Sequence, residues 1–345
     1  MTDSVSLMGY WIPYLSSTLV QGFPPPKNFI PGLQAAGLNV DFVNLYDIKQ
    51  KYGGNEIKRG LVIAQSDKII LSYWDYIYNR DLDTIFSDPK KKIIFMINWN
   101  EEPRTFDQKM QILKNSKYVT LSQDHFRQTW LDELKEAADP YKDRMVVWRF
   151  PCSTANTQLD KKKCREIIGQ KTDYSAMVWG YYGSGKGHLE LLEWAIPLTG
   201  TTILFCGTPA SPEAGEELRN FAFKTGIQSR VLFSKPLITD EESDVWFSAA
   251  DVNVVTYWNK IGESSLAVCL GHKKAVVTSN LHCFPEYEKL GAVVMSDRDH
   301  FKEKMVNLLI NPGERALQEA KATAYANQFN WMSTGLQFKK LVESM

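Results

Sequence analysis

The sequence contains no CxxC pair, and its five cysteines, Cys152, Cys164, Cys206, Cys269 and Cys283, stand singly. An odd number of scattered thiols speaks against a disulfide framework and against a cysteine zinc site; it predicts core cysteines in a reducing, cytoplasmic setting. Long apolar runs are also missing, since a stretch such as Ile93 to Ile97 falls far short of a membrane span. Net charge is absent as well: 40 Lys and Arg balance 40 Asp and Glu, so no global field draws the chain to nucleic acid or anionic lipid. The opening MTDSVSLMGYW carries an acid in place of a basic region and predicts no signal peptide. The five histidines offer no pair at metal-ligand spacing, no GxSxG elbow appears, and no tandem repeat is visible.

What is present is a chain of 345 residues with 44% hydrophobic and 12% aromatic residues, long enough for two domains and too apolar for disorder. Short strand-like runs, Val5 to Pro13, Val40 to Leu45, Lys68 to Tyr73, Lys92 to Ile97, Tyr118 to Ser122 and Met145 to Trp148, alternate with helical stretches. Between Phe150 and Thr172 the text turns polar with no strand signal, which places a domain boundary there. Alternation restarts with Ser175 to Trp179 and continues through Thr202 to Cys206, Arg230 to Phe233, Val252 to Val255 and Ala275 to Ser279. Helix starts are marked by Ser211–Pro212 and by the capping box Thr239 to Glu242. The expected class is α/β: two Rossmann-like doubly wound parallel sheets facing a cleft, over 1–160 and 170–325, with a helix at 326–345 packing back on the first domain. A ligand is expected at strand C-terminal ends, in the cleft.

The stretch VWGYYGSGKGHLELL, residues 178–192, sits at such an end. Gly180, Gly185 and Lys186 have the spacing of the nucleotide loop GxxxxGK[ST], yet Gly187 replaces the hydroxyl that would hold magnesium. Three readings stand: an ATP loop, a plain glycine turn, and a metal-free diphosphate grip made of loop N–H groups, the following helix N-terminus and Lys186.

The surrounding order resembles the donor-binding domain of glycosyltransferases of the two-domain GT-B architecture, especially the retaining group called family 4. Gly180, Lys186 and Gly187 match that family's opening loop, followed by ILFCG with Gly207, by GIQSRVLFSKPL, by SAADVNVV, and by CLGHKKAVVTS with FPEY and its Glu286. Two departures stand out. Tyr181 occupies the place of the usual Arg, and the paired glutamates would fall at Trp258 and Leu266, neither of which is acidic. Glu263 is the nearest carboxylate, read either as a ribose ligand with Ser264 and Ser265 receiving phosphate, or as a helix cap.

The resemblance implies a nucleotide-sugar donor of UDP or GDP type with no further cofactor, no metal, and retention at the anomeric carbon. It implies loop contacts from Gly180, Tyr181, Ser184, Gly185 and Gly207, and base contacts near Lys235 and Leu237. Lys186 would stabilise the leaving group, and His188 either joins the chemistry or caps its helix. The first domain would bind the acceptor, a glycan, a small molecule or DNA. In FMINWNEEPR, Asn98, Trp99, Asn100 and Glu102 suit a sugar, with Glu101, or Asp75 elsewhere, as base; the other reading of that stretch is a polar loop around a core Trp. Two alternatives accompany the transferase: an inverting, phage-type DNA-base glucosyltransferase, and a catalytically silent binding protein of the same fold.

Overall fold

The computed structural model describes the chain except for residues 1–2, 10–25, 53–54, 74–81, 98–103, 153–154, 156–158, 184–185 and 259–261. It divides into two compact units, Met1–Pro151 with Trp331–Met345, and Cys152–Asn330.

The first unit runs β1 (Ser4–Gly9), α1 (Pro26–Ala35), β2 (Asn39–Asn44), α2 (Leu45–Tyr52), α3 (Glu56–Ile63), β3 (Lys68–Tyr73), α4 (Leu82–Ile85), β4 (Lys92–Ile97), α5 (Phe106–Asn115), β5 (Tyr118–Leu121), α6 (Asp124–Leu134) and β6 (Met145–Val147). Its strands are all parallel, in the order β2-β1-β3-β4-β5-β6. Short runs such as Ile93–Ile97 are buried throughout because helices cover both faces of the sheet.

The second unit runs α7 (Lys161–Ile168), β7 (Tyr174–Trp179), α8 (His188–Ala195), β8 (Thr201–Cys206), α9 (Pro212–Lys224), β9 (Val231–Phe233), α10 (Asp240–Ala249), β10 (Val252–Val255), α11 (Glu263–Gly271), β11 (Ala275–Ser279), α12 (Pro285–Lys289), β12 (Val294–Ser296), α13 (Phe301–Ile310) and α14 (Pro312–Gln328). Here the order is β12-β11-β10-β7-β8-β9, again parallel. The first strand of the unit is central, and the chain winds outward from it in both directions, so β7 and β10 flank the point where the winding reverses. Alternate strand residues feed two cores. Met177, Leu204, Cys206, Val255 and Val276 pack with Phe247, Leu266 and Cys269 on one face. Ala176, Ile203, Phe205, Val254 and Val277 pack with Leu191, Leu218 and Phe301 on the other. All five cysteines are buried and none is in a disulfide.

The polar segment after Phe150 is not a linker throughout. Asp160 caps α7 by accepting from the Lys163 N–H at 2.8 Å, and Gly169 closes the helix in the left-handed conformation. Its charges have a buried purpose. Asp251, just ahead of β10, accepts from Arg165 Nη2 at 2.6 Å, from the Ser175 N–H at 2.8 Å and from Lys161 Nζ. A helix with one buried cysteine and a highly charged face looks like a linker in sequence, so the division falls ahead of it, at Pro151 and Cys152.

After Asn330 the chain returns to the first unit as α15 (Trp331–Glu343). That helix crosses α1 with backbones nearly touching: a Cβ on Gly335 would overlap the Gly32 carbonyl, and one on Gly32 would overlap the Trp331 carbonyl. Phe338 and Trp331 then close on Phe29, with ring centroids 5.2 and 5.9 Å apart. Gly335→Ala is therefore expected to destabilise the first unit by about 3 kcal/mol, the upper range for overpacking, as read from its urea unfolding midpoint; an unchanged midpoint would contradict this crossing.

Candidate functional site

The C-terminal ends of β7, β8 and β10 meet at the winding reversal of the second unit, and the loop 180–187 sits on them. Gly180 has φ 94° and donates its N–H to the Cys206 carbonyl at 3.0 Å. Gly207, φ 146°, lies so close that a Cβ there would overlap the Gly180 carbonyl. Ser234 Oγ fixes this junction by accepting the Gly207 N–H at 2.9 Å. The Tyr182 N–H and carbonyl then pair with Thr208 and Ala210 at 3.1 and 2.8 Å, extending the sheet edge by one step.

Lys186 and Gly187 close the loop. Thr256 Oγ1, directly after β10, donates to the Lys186 carbonyl at 2.8 Å. Gly187 is left-handed, and a Cβ there would overlap the Thr256 carbonyl and the Trp258 indole. The position has no room for the hydroxyl residue of an ATP loop, so that reading fails on geometry. Lys186 is 8% exposed. Its ammonium donates to the Tyr181 carbonyl at 2.9 Å and lies 4.7 Å from the Tyr257 ring centroid and 5.9 Å from that of Tyr181. Tyr181, where an Arg was expected, thus holds the cation with its main chain. Burial raises its phenol pKa.

His188 is the first residue of α8 and is fully buried. Its Nδ1 accepts the Gly183 N–H at 2.9 Å, which leaves the proton of the neutral ring on Nε2, an atom without a partner among the described residues. Burial, helped by the Lys186 charge, pushes its pKa down to about 3. The His188 ring makes no cap bond to its own helix and instead holds the loop through Gly183.

The N-terminus of α11 comes up beside the loop. A Cβ on Gly180 would lie 3.2 Å from Ser265 Oγ, which is itself 3.2 Å from the Tyr257 hydroxyl. Ser264 and Ser265 are half-buried. Glu263 is 3% exposed, and its Oε1 accepts the Tyr287 hydroxyl at 3.2 Å. Leu266 lies in the core. Lys235 is exposed and pairs with Glu242 at 2.5 Å, while Leu237, φ 55° and half-exposed, directs its N–H to Thr208 Oγ1 at 3.4 Å. The structure thus gathers Gly180, Tyr181, Lys186, His188, Gly207, Ser264 and Ser265. Ser184, Gly185, Asp75, Asn98, Trp99, Asn100, Glu101 and Glu102 lie outside the described residues. Sequence reasoning missed Ser234, Thr256 and Tyr257; the last two directly follow the apolar run VNVV, a position that marks a strand's C-terminal end.

The chain matches no family model and no curated protein by sequence. Its fold is similar to solved structures over nearly the whole length. Sucrose-phosphate synthase from Thermosynechococcus elongatus shares 14% identity, with 99% of this chain and 98% of that one covered and a TM-score of 0.74. HepE from Anabaena, solved in complex with UDP-glucose, shares 11% over 99% and 100% with a TM-score of 0.73. A UDP-forming trehalose-phosphate synthase from Burkholderia xenovorans shares 12% over 99% of each chain with a TM-score of 0.68. At these identities the likeness establishes the fold, that of GT-B proteins.

The buried neutral imidazole has a stability consequence. Its folded pKa lies below the ordinary 6.5, so its contribution is complete above pH 6.5 and is lost as pH falls toward about 3. Between pH 6 and 5 wild type is expected to lose stability faster than His188→Asn, which keeps an acceptor for Gly183, by up to about 1.4 kcal/mol per pH unit. Urea unfolding at the two pH values checks this; equal slopes would contradict a buried neutral His188.

Proposed function

We propose that the chain transfers a sugar from a nucleoside diphosphate sugar, of UDP or GDP type, to an acceptor hydroxyl. The observation that carries this reading is the Lys186 ammonium, fixed at the winding reversal between a glycine-lined loop and the N-terminus of α11. The solved neighbours support it in kind: one was solved with UDP-glucose and another is described as UDP-forming.

When the bond from the anomeric carbon to the diphosphate breaks, negative charge grows on the departing phosphate oxygen. Lys186 meets that charge as a point cation. The first-turn N–H groups of α8 and α11 add the positive ends of two helices. Such a set stabilises the leaving group without a divalent ion, and the metal-free route belongs to the proposal. The similarity to family 4 favours retention; an inverting route with Glu101 or Asp75 as base is the variant that product stereochemistry separates. The first unit would supply the acceptor site.

A second reading, nucleotide-sugar binding without turnover, is favoured by Leu266, a fully buried core residue where the family carries a glutamate. Hydrolysis and calorimetric binding of UDP-, GDP- and ADP-sugars separate the two. Turnover of one donor is expected, with kcat reduced about 10²- to 10³-fold in Lys186→Ala, the loss typical of one leaving-group or oxyanion donor. Binding without turnover establishes the silent reading, and neither binding nor turnover ends both.

A further inference from the structure

A second cavity, of about 340 Å³, lies at the opposite end of the second sheet, by the N-terminal ends of β10 and β11. Three helices and a turn line it. Lys161 comes from α7, Phe247 from α10, His272, Lys273 and Lys274 from the turn between α11 and β11, and Glu319 from α14. Three lysines therefore face a single lining carboxylate.

The charges are unequally matched. Lys161 is already paired with buried Asp251, which also holds Arg165. His272 lies 3.0 Å from Asp244 Oδ1 and 2.9 Å from the Val268 carbonyl, with its ring stacked on Phe247 at 3.6 Å. The Lys273 N–H is spent on the Leu270 carbonyl at 2.9 Å, while among the described residues the ammonium groups of Lys273 and Lys274 make no side-chain hydrogen bond or close ion pair, Glu319 and Asp251 acting on Lys274 only through their charge. Lys273 holds a left-handed φ of 58°, a costly conformation for a residue with a Cβ, which turns the chain so that consecutive lysines line one cavity. Burial, and then the neighbouring Lys161 charge, lower the Lys274 pKa against the opposing pull of Glu319 and Asp251.

We propose that this cavity is a binding site for a small phosphorylated metabolite, its phosphate held by Lys273 and Lys274 with Lys161 behind them. A dianion there supplies the missing partner for two cations at once. The volume stands at the lower end of the ~300–1,000 Å³ typical of small-molecule sites, which leaves room for an organic portion beyond the phosphate. The His272 ring, backed by the buried Phe247, lines one side, and Glu319 and Thr323 on α14 offer acceptors for hydroxyl groups. The site is separate from the Lys186 loop: α11 spans the distance between them, its Glu263 end at the loop and its His272 end at the cavity.

Calorimetric titration of ribose 5-phosphate, inorganic phosphate and ribose into the full chain tests this. Saturable binding of ribose 5-phosphate is expected, weaker binding of inorganic phosphate, and none of ribose. Affinity for ribose 5-phosphate should fall about tenfold or more in both Lys274→Met and Lys273→Glu, variants chosen so that one folded protein suffices, and stay at the wild-type value in Lys186→Ala. No binding to wild type at about 10 mM ligand, or undiminished binding in either lysine variant, overturns the proposal. Loss of binding in Lys186→Ala overturns it as well, since it moves the anion to the loop. Equal affinity for inorganic phosphate and the ester removes the organic portion from the assignment.

Discussion

A hydrogen bond from the Gly183 N–H to the neutral imidazole of His188 underlies the whole C-terminal edge of the second sheet. The loop's other anchors are main-chain bonds to Cys206, Thr208 and Ala210 and the Thr256 hydroxyl on the Lys186 carbonyl. An imidazolium at that depth would lose the acceptor lone pair and bring a second positive charge beside Lys186. Keeping the ring neutral keeps the field at the loop that of a single lysine and two helix ends. The glycines matter for the complementary reason. Gly207 and Gly187 let backbones come within contact distance, so the loop packs onto the ends of β8 and β10 while the rings of Tyr257 and Tyr181 flank the Lys186 ammonium.

The two units solve the same layering problem with different windings. In the second, the first strand is central and its neighbours extend outward both ways. In the first, β1 sits next to the edge, between β2 and β3. Each has one winding reversal, between β7 and β10 in the second unit and between β1 and β3 in the first. The Lys186 loop occupies that place in the second unit. In the first unit the corresponding segment after β1 falls among residues 10–25, outside the described residues.

Much of this architecture was legible in the sequence because buried parallel strands write themselves as short apolar runs and helix starts as caps. Ser211 with Pro212 and the Thr239–Glu242 capping box stand where their residue types predicted, each with its cap hydrogen bond. α7 was not legible, since KKKCREII shows one buried cysteine among charges whose partner, Asp251, is far away in sequence. The strand order was not legible either, because which strands become neighbours depends on pairing, not on local periodicity. At the site, GSGKG announced the loop, while the roles of Thr256 and Ser234 arise only from the fold. At Glu263, where spacing put a carboxylate near the expected position, the hydroxyl donated by Tyr287, twenty-four residues on, is a partner that no local pattern shows.

The crossing of α15 on α1 also sets an order of events on the ribosome. The second unit is an insertion between two parts of the first, so every residue it needs has been made by Asn330. The first unit then still lacks the helix that covers Phe29 and the Gly32 face of α1. Domains fold as units during synthesis. The unit that the insertion interrupts is thus completed after the inserted one, with the Phe29 face of α1 uncovered until α15 follows.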